Sequence, residues 1–310
     1  MNYPYSSSTI SSSTIATTGS RIVVDKSPEQ PTRKPPRFFG IHARPGKAFS
    51  IVLAILPFAV LLIVYLTASE IRHRENEADK LLPKISQMTA AVQHMAFEKN
   101  RRTGTYLMLN DTLASMKRLL IGTGLAAATA LLLGLNIGLF PGINAALNPF
   151  ITFIAMIPPL SVLPILFISF GVDEAAKIVL IFLGIFPLIT RDIRLAVHKL
   201  PHEQLTKAAT LGASQFQLAY RIILPQVMPR LIEAVRLSLG SAWLFLIAAE
   251  AIAASSGLGY RIFLVRRYLA MDVILPYVLW ITFLGFVMDW LLRHIMRCFY
   301  PWYAADGGHK

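Results

Sequence analysis

The chain has 310 residues, of which 55% are hydrophobic and only 15% charged, with a formal net charge of +13. Its mean hydropathy is positive, which excludes an ordinary soluble globular domain. Nor does the basic excess point to nucleic acid: the Lys and Arg residues flank apolar runs and form no basic stripe interleaved with aromatics on a polar helix.

Residues 1–47 pass from a Ser/Thr-rich tract into a Pro/Arg/Lys segment. So little apolar surface does not offset the entropy of ordering, and the segment is expected to be a disordered cytoplasmic tail. A cleaved signal peptide is not expected, because the positive flank and the apolar run come too late and the run is of full span length. Six apolar runs follow, at Phe49–Thr67, Leu119–Phe140, Leu147–Phe170, Ala175–Thr190, Leu237–Ala254 and Val273–Leu292. A helix of about 20 residues crosses the hydrocarbon core. The predicted fold class is therefore an all-α polytopic membrane helix bundle with six transmembrane helices.

Between the first two spans, residues 48–112 hold the first span and an external segment. There Ile85, Met88, Ala91, Val92 and Met95 recur on one face of an amphipathic helix expected to lie on the bundle. The second span carries Gly134 and Gly138, spaced for close helix approach. Packing within the chain and dimerisation both remain open readings of that spacing. In the third span Ile157-Pro158-Pro159 and then Pro164 free backbone carbonyls at membrane depth, as in a kink or the lining of a substrate path. Thr152 and Ser161 are its polar candidates. Gly171-Val172-Asp173-Glu174 opens the fourth span, and Thr190-Arg191-Asp192-Ile193-Arg194 closes it.

Between the fourth and fifth spans lies a polar, helix-forming island, Leu205–Pro229, within a loop taken as 198–229. It reads as two short helices joined by a bend. The first opens near Pro201, with Glu203 against the positive end of the dipole. Gly212 breaks it, Ser214 restarts the chain as an N-cap, and Pro225 and Pro229 are expected to stop the second helix.

Glu250, near one end of the fifth span, is costly in hydrocarbon and is a candidate either for a solute path or for an internal hydrogen-bonded role. In the last span Asp289 is placed to pair with Arg293 one turn on. Trp290, Tyr300, Trp302 and Tyr303 suit the interface. Cys298 is the sole cysteine, so no internal disulfide forms. Residues 304–310 are expected to be a short cytoplasmic tail.

Orientation follows from Arg33, Lys34, Arg37, Arg44 and Lys47 before the first span: positive flanks stay inside. With six spans both termini and the island are then cytoplasmic. Catalytic chemistry is not indicated. No Gly-x-x-x-x-Gly-Lys-Ser/Thr phosphate loop occurs, and Pro201 separates His198 from His202 so that they do not share a helix face for a metal. Gly257-Leu258-Gly259 is a turn too short for a dinucleotide fingerprint.

The island resembles the cytoplasmic coupling loop of binding-protein-dependent ABC importers, whose pattern is Glu-Ala-Ala, three residues, Gly, nine residues, Ile, one residue, Leu-Pro. Gly212, nine residues, then Ile222-x-Leu224-Pro225 match its second half. In the first half Thr206 stands for Glu and Lys207 for Ala, and Ala208 agrees. The similarity runs through 113–303, including Ile157-Pro158-Pro159, Pro164, Ala208-Ala209, Ala213-Ser214, Ala249-Glu250 and Ser255–Tyr260. It is nearest to permeases of the nitrate/sulfonate/taurine/bicarbonate group.

The resemblance implies a type I importer permease, homodimeric, holding two ATPase subunits inside and a substrate-binding protein outside. ATP and magnesium would belong to the ATPase, with no cofactor in this chain. Residues 206–209, 212–214, Phe216, Ile222, Leu224 and Pro225 would then contact the ATPase, whose closure on ATP rocks the span bundle. The solute would be small and anionic. An ATP-independent secondary transporter or channel is the alternative. Such a protein is expected to show inverted repeats or more intramembrane charge, and neither is evident.

Overall fold

The computed structural model describes residues 46–76, 80–99 and 104–303. The expected tails thus lie outside the described residues, apart from Gly46 and Lys47. Among the described residues the structure is helical, with one isolated bridge between Lys99 and Tyr106. The chain divides after Leu62 into two units.

The first unit contributes most of α1 (Lys47–Glu75). Its apolar side chains, Phe58 and Leu61 among them, are exposed, as a helix bathed in lipid requires. The second unit starts within α1 at Ile63. There Tyr65 Oη donates to Pro83 O (2.7 Å) and Ser69 Oγ to Leu82 O (3.0 Å), which ties the following segment back onto the helix. The amphipathic helix α2 (Ile85–Ala96) follows. It packs on α3 (Leu107–Leu139) and on the last helix, α11 (Met271–Phe299), through the face that contains Ala91 and Met95.

The core is built on α3 and α6 (Glu174–His198). Leu119, Leu180, Ile181, Ile185 and Ile193 are fully buried there. Three glycines of α3 allow the approach. A Cβ at Gly122 would lie 2.9 Å from Ile181, one at Gly134 2.8 Å from Ile193, and one at Gly138 2.6 Å from Val197. The glycine spacing is therefore used inside the chain, where small residues let backbones meet and dispersion forces act.

Several sequence expectations are corrected. The second span begins at Leu107 rather than Leu119, so the run Leu113–Arg118 lies inside a helix. The third span is not continuous: α4 (Pro141–Met156) and α5 (Pro159–Phe170) meet at 95°, because two successive prolines remove donors and force Ile157 into extended backbone. Among the described residues four helices are by length and composition able to span a membrane, or five with the bent pair counted as one, against the six expected. The missing one is α6. Its apolar centre is bounded by Lys177 at one end and Arg191, Asp192 and Arg194 at the other. Of these, Lys177 pairs with Glu174 and Asp192 with Arg230, while Arg191 is exposed.

Pro225 and Pro229 do not stop a helix. From Gln215 to Ala253 the chain forms one 39-residue span, made of a three-residue turn α8 (Gln215–Gln217), a π-helical segment (Leu218–Ile223) and α9 (Leu224–Ala253). In the π segment the Leu224 N–H reaches Ala219 O, five residues back. That looser winding is how a membrane helix carries proline residues that lack an N–H. Between α6 and α8 lies α7 (His202–Thr210), and α10 (Leu258–Arg266) precedes α11.

Candidate functional site

At one end of the bundle the island is present and exposed. Helix α7 ends in an αL turn: Gly212 has φ +84°, its N–H donates to Ala209 O (3.0 Å), and the Ala213 N–H donates to Ala208 O (3.1 Å). Such a turn satisfies carbonyls left over at a helix C-terminus and favours glycine. The chain restarts at a reciprocal cap, in which Ser214 Oγ accepts from Gln217 N (3.3 Å) and Gln217 Oε1 accepts from Ser214 N (2.9 Å).

The bend thus holds its own shape while presenting apolar side chains outward. Leu211 is 88% and Phe216 71% exposed, and the Phe216 ring packs on Tyr220 at a 37° tilt with centroids 4.4 Å apart. Thr206, Lys207, Ala209 and Pro225 are exposed; Ala208, Ala213, Ile222 and Leu224 are half-buried. Ala219 and Ile223 face the core. A cavity of about 230 Å³ separates Gln215, Phe216 and Tyr220 from the α3 end at Leu135, Asn136 and Phe140.

Beneath the bend, Arg230 joins Asp192 of α6 (3.2 Å) to Glu233 (2.8 Å), and Tyr303 Oη donates to Glu233 (2.9 Å). Burial pushes the Tyr303 phenol up, and the Glu233 carboxylate adds to that. One turn deeper, Arg236 reaches Asp289 (3.3 Å), which also pairs with Arg293. These pairs fix the base of the loop to α6 and α11.

The opposite end is chemically different. Asp111, Ser115 and Arg118 lie on one face of α3, all buried, and face Glu250 of α9, which has no exposed surface. Arg118 Nη1 donates to Glu250 Oε1 (2.6 Å) and Ser256 O (2.8 Å). Its Nε and Nη2 form a fork on Glu174. The Ser115 hydroxyl lies 2.7 and 2.9 Å from the two Glu250 oxygens.

Three successive backbone N–H groups of the α9–α10 turn also end on this network. Gly257 N–H goes to Asp111 Oδ1 (3.0 Å), Leu258 N–H to Ser115 Oγ (2.8 Å) and Gly259 N–H to Glu250 Oε2 (2.9 Å). Such a run of N–H groups forms a concavity suited to anions, here filled by the chain's own oxygens. Gly257 has φ +130°, and a Cβ there would sit 2.5 Å from the Glu250 carboxyl. Arg261 Nε donates to Asp111 (2.8 Å), and Tyr277 Oη lies 3.3 Å from the same carboxylate. Burial opposes the Arg261 charge, but Asp111 outweighs it and its pKa is raised.

The other candidates are dispersed. Around the 95° break Pro158, Ser161 and Pro164 are exposed, while Pro159 and Thr152 are half-buried. Both hydroxyls are spent on their own helices, Thr152 to Asn148 O (2.8 Å) and Ser161 to Pro158 O (2.7 Å). Glu250 is not brought to them. Among the described residues no group of three His, Cys, Asp or Glu is placed to hold a metal, and His198 and His202 belong to different helices. Asp111, Ser115, Arg118 and Arg261 were missed by the sequence reading. The first three carried a signal, a polar stripe at i, i+4 and i+7 leading into an apolar span, and Arg261 of α10 carried none.

A helical bundle with several helices long and apolar enough to cross a membrane, a buried polar network at one end and a capped, exposed bend at the other, defines a multi-pass membrane protein. Residues 121–298 match the family described as binding-protein-dependent transport system inner membrane component, and the chain belongs to that family. It is similar to the taurine transport system permease protein TauC of Escherichia coli K12, at 30% identity over 254 residues, covering 82% of this chain and 90% of the relative. It is also similar to a probable ABC transporter permease of Brucella melitensis, at 35% over 195 residues (63% and 79%). The bicarbonate transport system permease protein CmpB of Synechococcus elongatus is 30% identical over 194 residues (60% and 69%).

Among solved structures, a chain of the methionine ABC transporter MetNI in an inward-facing conformation superposes with a TM-score of 0.57 at 17% identity, over 64% of this chain and 99% of that one. The resemblance to permeases of the nitrate/sulfonate/taurine/bicarbonate group is borne out. The chain is a permease component of an importer.

Proposed function

We propose that this permease carries a small oxyanionic solute inward and is driven by a separate ATPase subunit seated on the Gly212 bend. The observation that carries the reading is the bend itself: a self-capped turn, rigid without a partner, that leaves Leu211 and Phe216 in solvent. Exposed apolar side chains on a preorganised element suit a protein contact, because little ordering entropy is lost on binding. Thr206, Lys207, Ala208, Ala209, Gly212, Ala213, Ser214 and Phe216 would form the contact. Ile222, Leu224 and Pro225 would pass its movement into α9. The substitution of Thr206 and Lys207 for Glu and Ala means that any ion pair with the ATPase uses other groups.

The bend is cytoplasmic in this reading, as are both termini, and a substrate-binding protein docks at the opposite end. Two copies of the chain form the path, and ATP with magnesium resides on the partner. Relatives named for taurine and bicarbonate transport support an oxyanion as cargo. The break between α4 and α5, with Thr152, Pro158, Pro159, Ser161 and Pro164, is the proposed path lining. Glu250 is left out of it because its partners are internal.

The test is Gly212→Val in proteoliposomes holding the ATPase and binding protein. A β-branched residue at positive φ costs roughly 1–2 kcal/mol, enough to deform a short turn without unfolding the bundle. ATP-dependent uptake of taurine or bicarbonate should be lost, and ATPase co-purification should fall, while the variant stays in the membrane. Normal uptake with normal co-purification overturns the reading.

A further inference from the structure

Glu174 occupies an unusual position in the sealed end. Its carboxylate is the partner of two cations that are themselves buried, Arg118 and Lys177, each with only 3% of its side chain exposed, yet the Glu174 side chain is 59% exposed. The Arg118 fork places Nε and Nη2 on the two Glu174 oxygens, and Lys177 Nζ lies 3.3 Å from Oε1. Glu174 also stands in the first turn of α6, where the helix dipole adds positive potential. The remaining Arg118 donor is committed to Glu250 and Ser256 O, which fixes the guanidinium from behind. Among the described residues, Lys177 has no other ion pair.

A planar guanidinium fork and an ammonium converging on one point form a receptor for a planar or tetrahedral oxyanion. A carboxylate that enters from solvent on a surface side chain is replaceable by one that arrives free. We propose that Arg118 and Lys177 form an oxyanion-binding site at the bundle end opposite the Gly212 bend, and that Glu174 is the internal occupant which an incoming carboxylate, bicarbonate or sulfonate displaces. The existence of the site rests on this geometry alone. Its use in receiving the solute rests on the importer reading.

The experiment uses the full chain purified in an uncharged detergent, stripped of lipid so that anionic headgroups do not compete. Thermal unfolding is followed against methanesulfonate or bicarbonate, with sodium chloride at equal ionic strength as reference. Glu174→Gln removes the resident charge, leaving Lys177 without its ion-pair partner and freeing the Arg118 Nε/Nη2 fork while Nη1 stays on Glu250, so its midpoint should rise saturably with either oxyanion. In wild type the apparent affinity should be at least about tenfold weaker, since the ligand must displace Glu174. Adding Lys177→Gln to Glu174→Gln should weaken binding by about tenfold or more, the loss expected for one charge-assisted hydrogen bond.

If Glu174→Gln responds equally to oxyanion and chloride, or if the double variant keeps its affinity, the site does not exist. Should Glu174→Gln fail to accumulate, Glu174→Asp serves: its shorter reach loosens the fork, and it must show an oxyanion dependence stronger than wild type. Absence of that dependence overturns the proposal equally. Reconstituted uptake separates the two readings. Wild-type uptake without oxyanion binding removes the site alone, whereas binding without ATP-driven uptake removes the importer reading and leaves the site.

Discussion

The two ends of this bundle solve opposite problems with the same residue types. Around Glu250, carboxylates, a hydroxyl and guanidinium groups are withdrawn from solvent, and each meets partners from α3, α6, α10 or α11. Around Gly212, hydrogen bonds are local, spanning five residues or fewer in sequence, and the side chains face outward. A low-dielectric interior strengthens satisfied polar bonds and makes orphaned ones costly, so the first end should resist change. The second should yield its surface freely, because nothing distant depends on it.

That contrast is broken most directly at Glu250. Glu250→Ala removes one partner of a buried pair, which costs about 3–5 kcal/mol; it takes the acceptor from Ser115 Oγ, the Gly259 N–H and one Arg118 donor, although Arg118 keeps Glu174. The expected result is poor accumulation, or the largest drop in unfolding midpoint of the series, and a midpoint near wild type would sink the idea of a sealed network. Gly257→Ala comes next: a positive φ and a Cβ pressed against the Glu250 carboxyl should together cost about 2–4 kcal/mol. Its midpoint should fall between those of Glu250→Ala and wild type.

At the other end Ser214→Ala removes a helix cap worth about 1 kcal/mol. Hydrogen exchange should speed up in residues 214–218 with the midpoint scarcely moved; protection unchanged there would mean that the cap does not hold the bend. Phe216→Ala should change stability by less than about 0.5 kcal/mol. ATPase co-purification should nevertheless fall, and full retention of both would remove Phe216 from the contact.

The same contrast explains what the sequence revealed. Gly212 and Ser214 were legible because turn and cap chemistry is decided by a few consecutive residues. The amphipathic face of α2 was legible for a similar reason, since Ile85 to Met95 carry their period within one helix. Pro225 does not act as a stop because it stands in the first turn of α9, where no N–H is needed, directly after the π segment, and Pro229 is carried inside α9. Arg118 and Asp111 were invisible because their partners lie between 56 and 166 residues away, distances over which a single sequence gives no pairing. The charges bounding α6 misled in the other direction. Lys177 falls within the expected span Ala175–Thr190, and it is buried in the protein against Glu174.

The three glycines of α3 have one more consequence. With Ile181, Ile193 and Val197 seated against bare backbone at Gly122, Gly134 and Gly138, α6 has no room to slide or rotate along α3. A 25-residue helix is about 37 Å long at 1.5 Å per residue. Helix α6 carries Glu174 at one end and, through Asp192 and Arg230, the base of the bend at the other. Two chemically unlike ends are therefore joined through a single helix, whose one interior proline, Pro187, is buried against its neighbours.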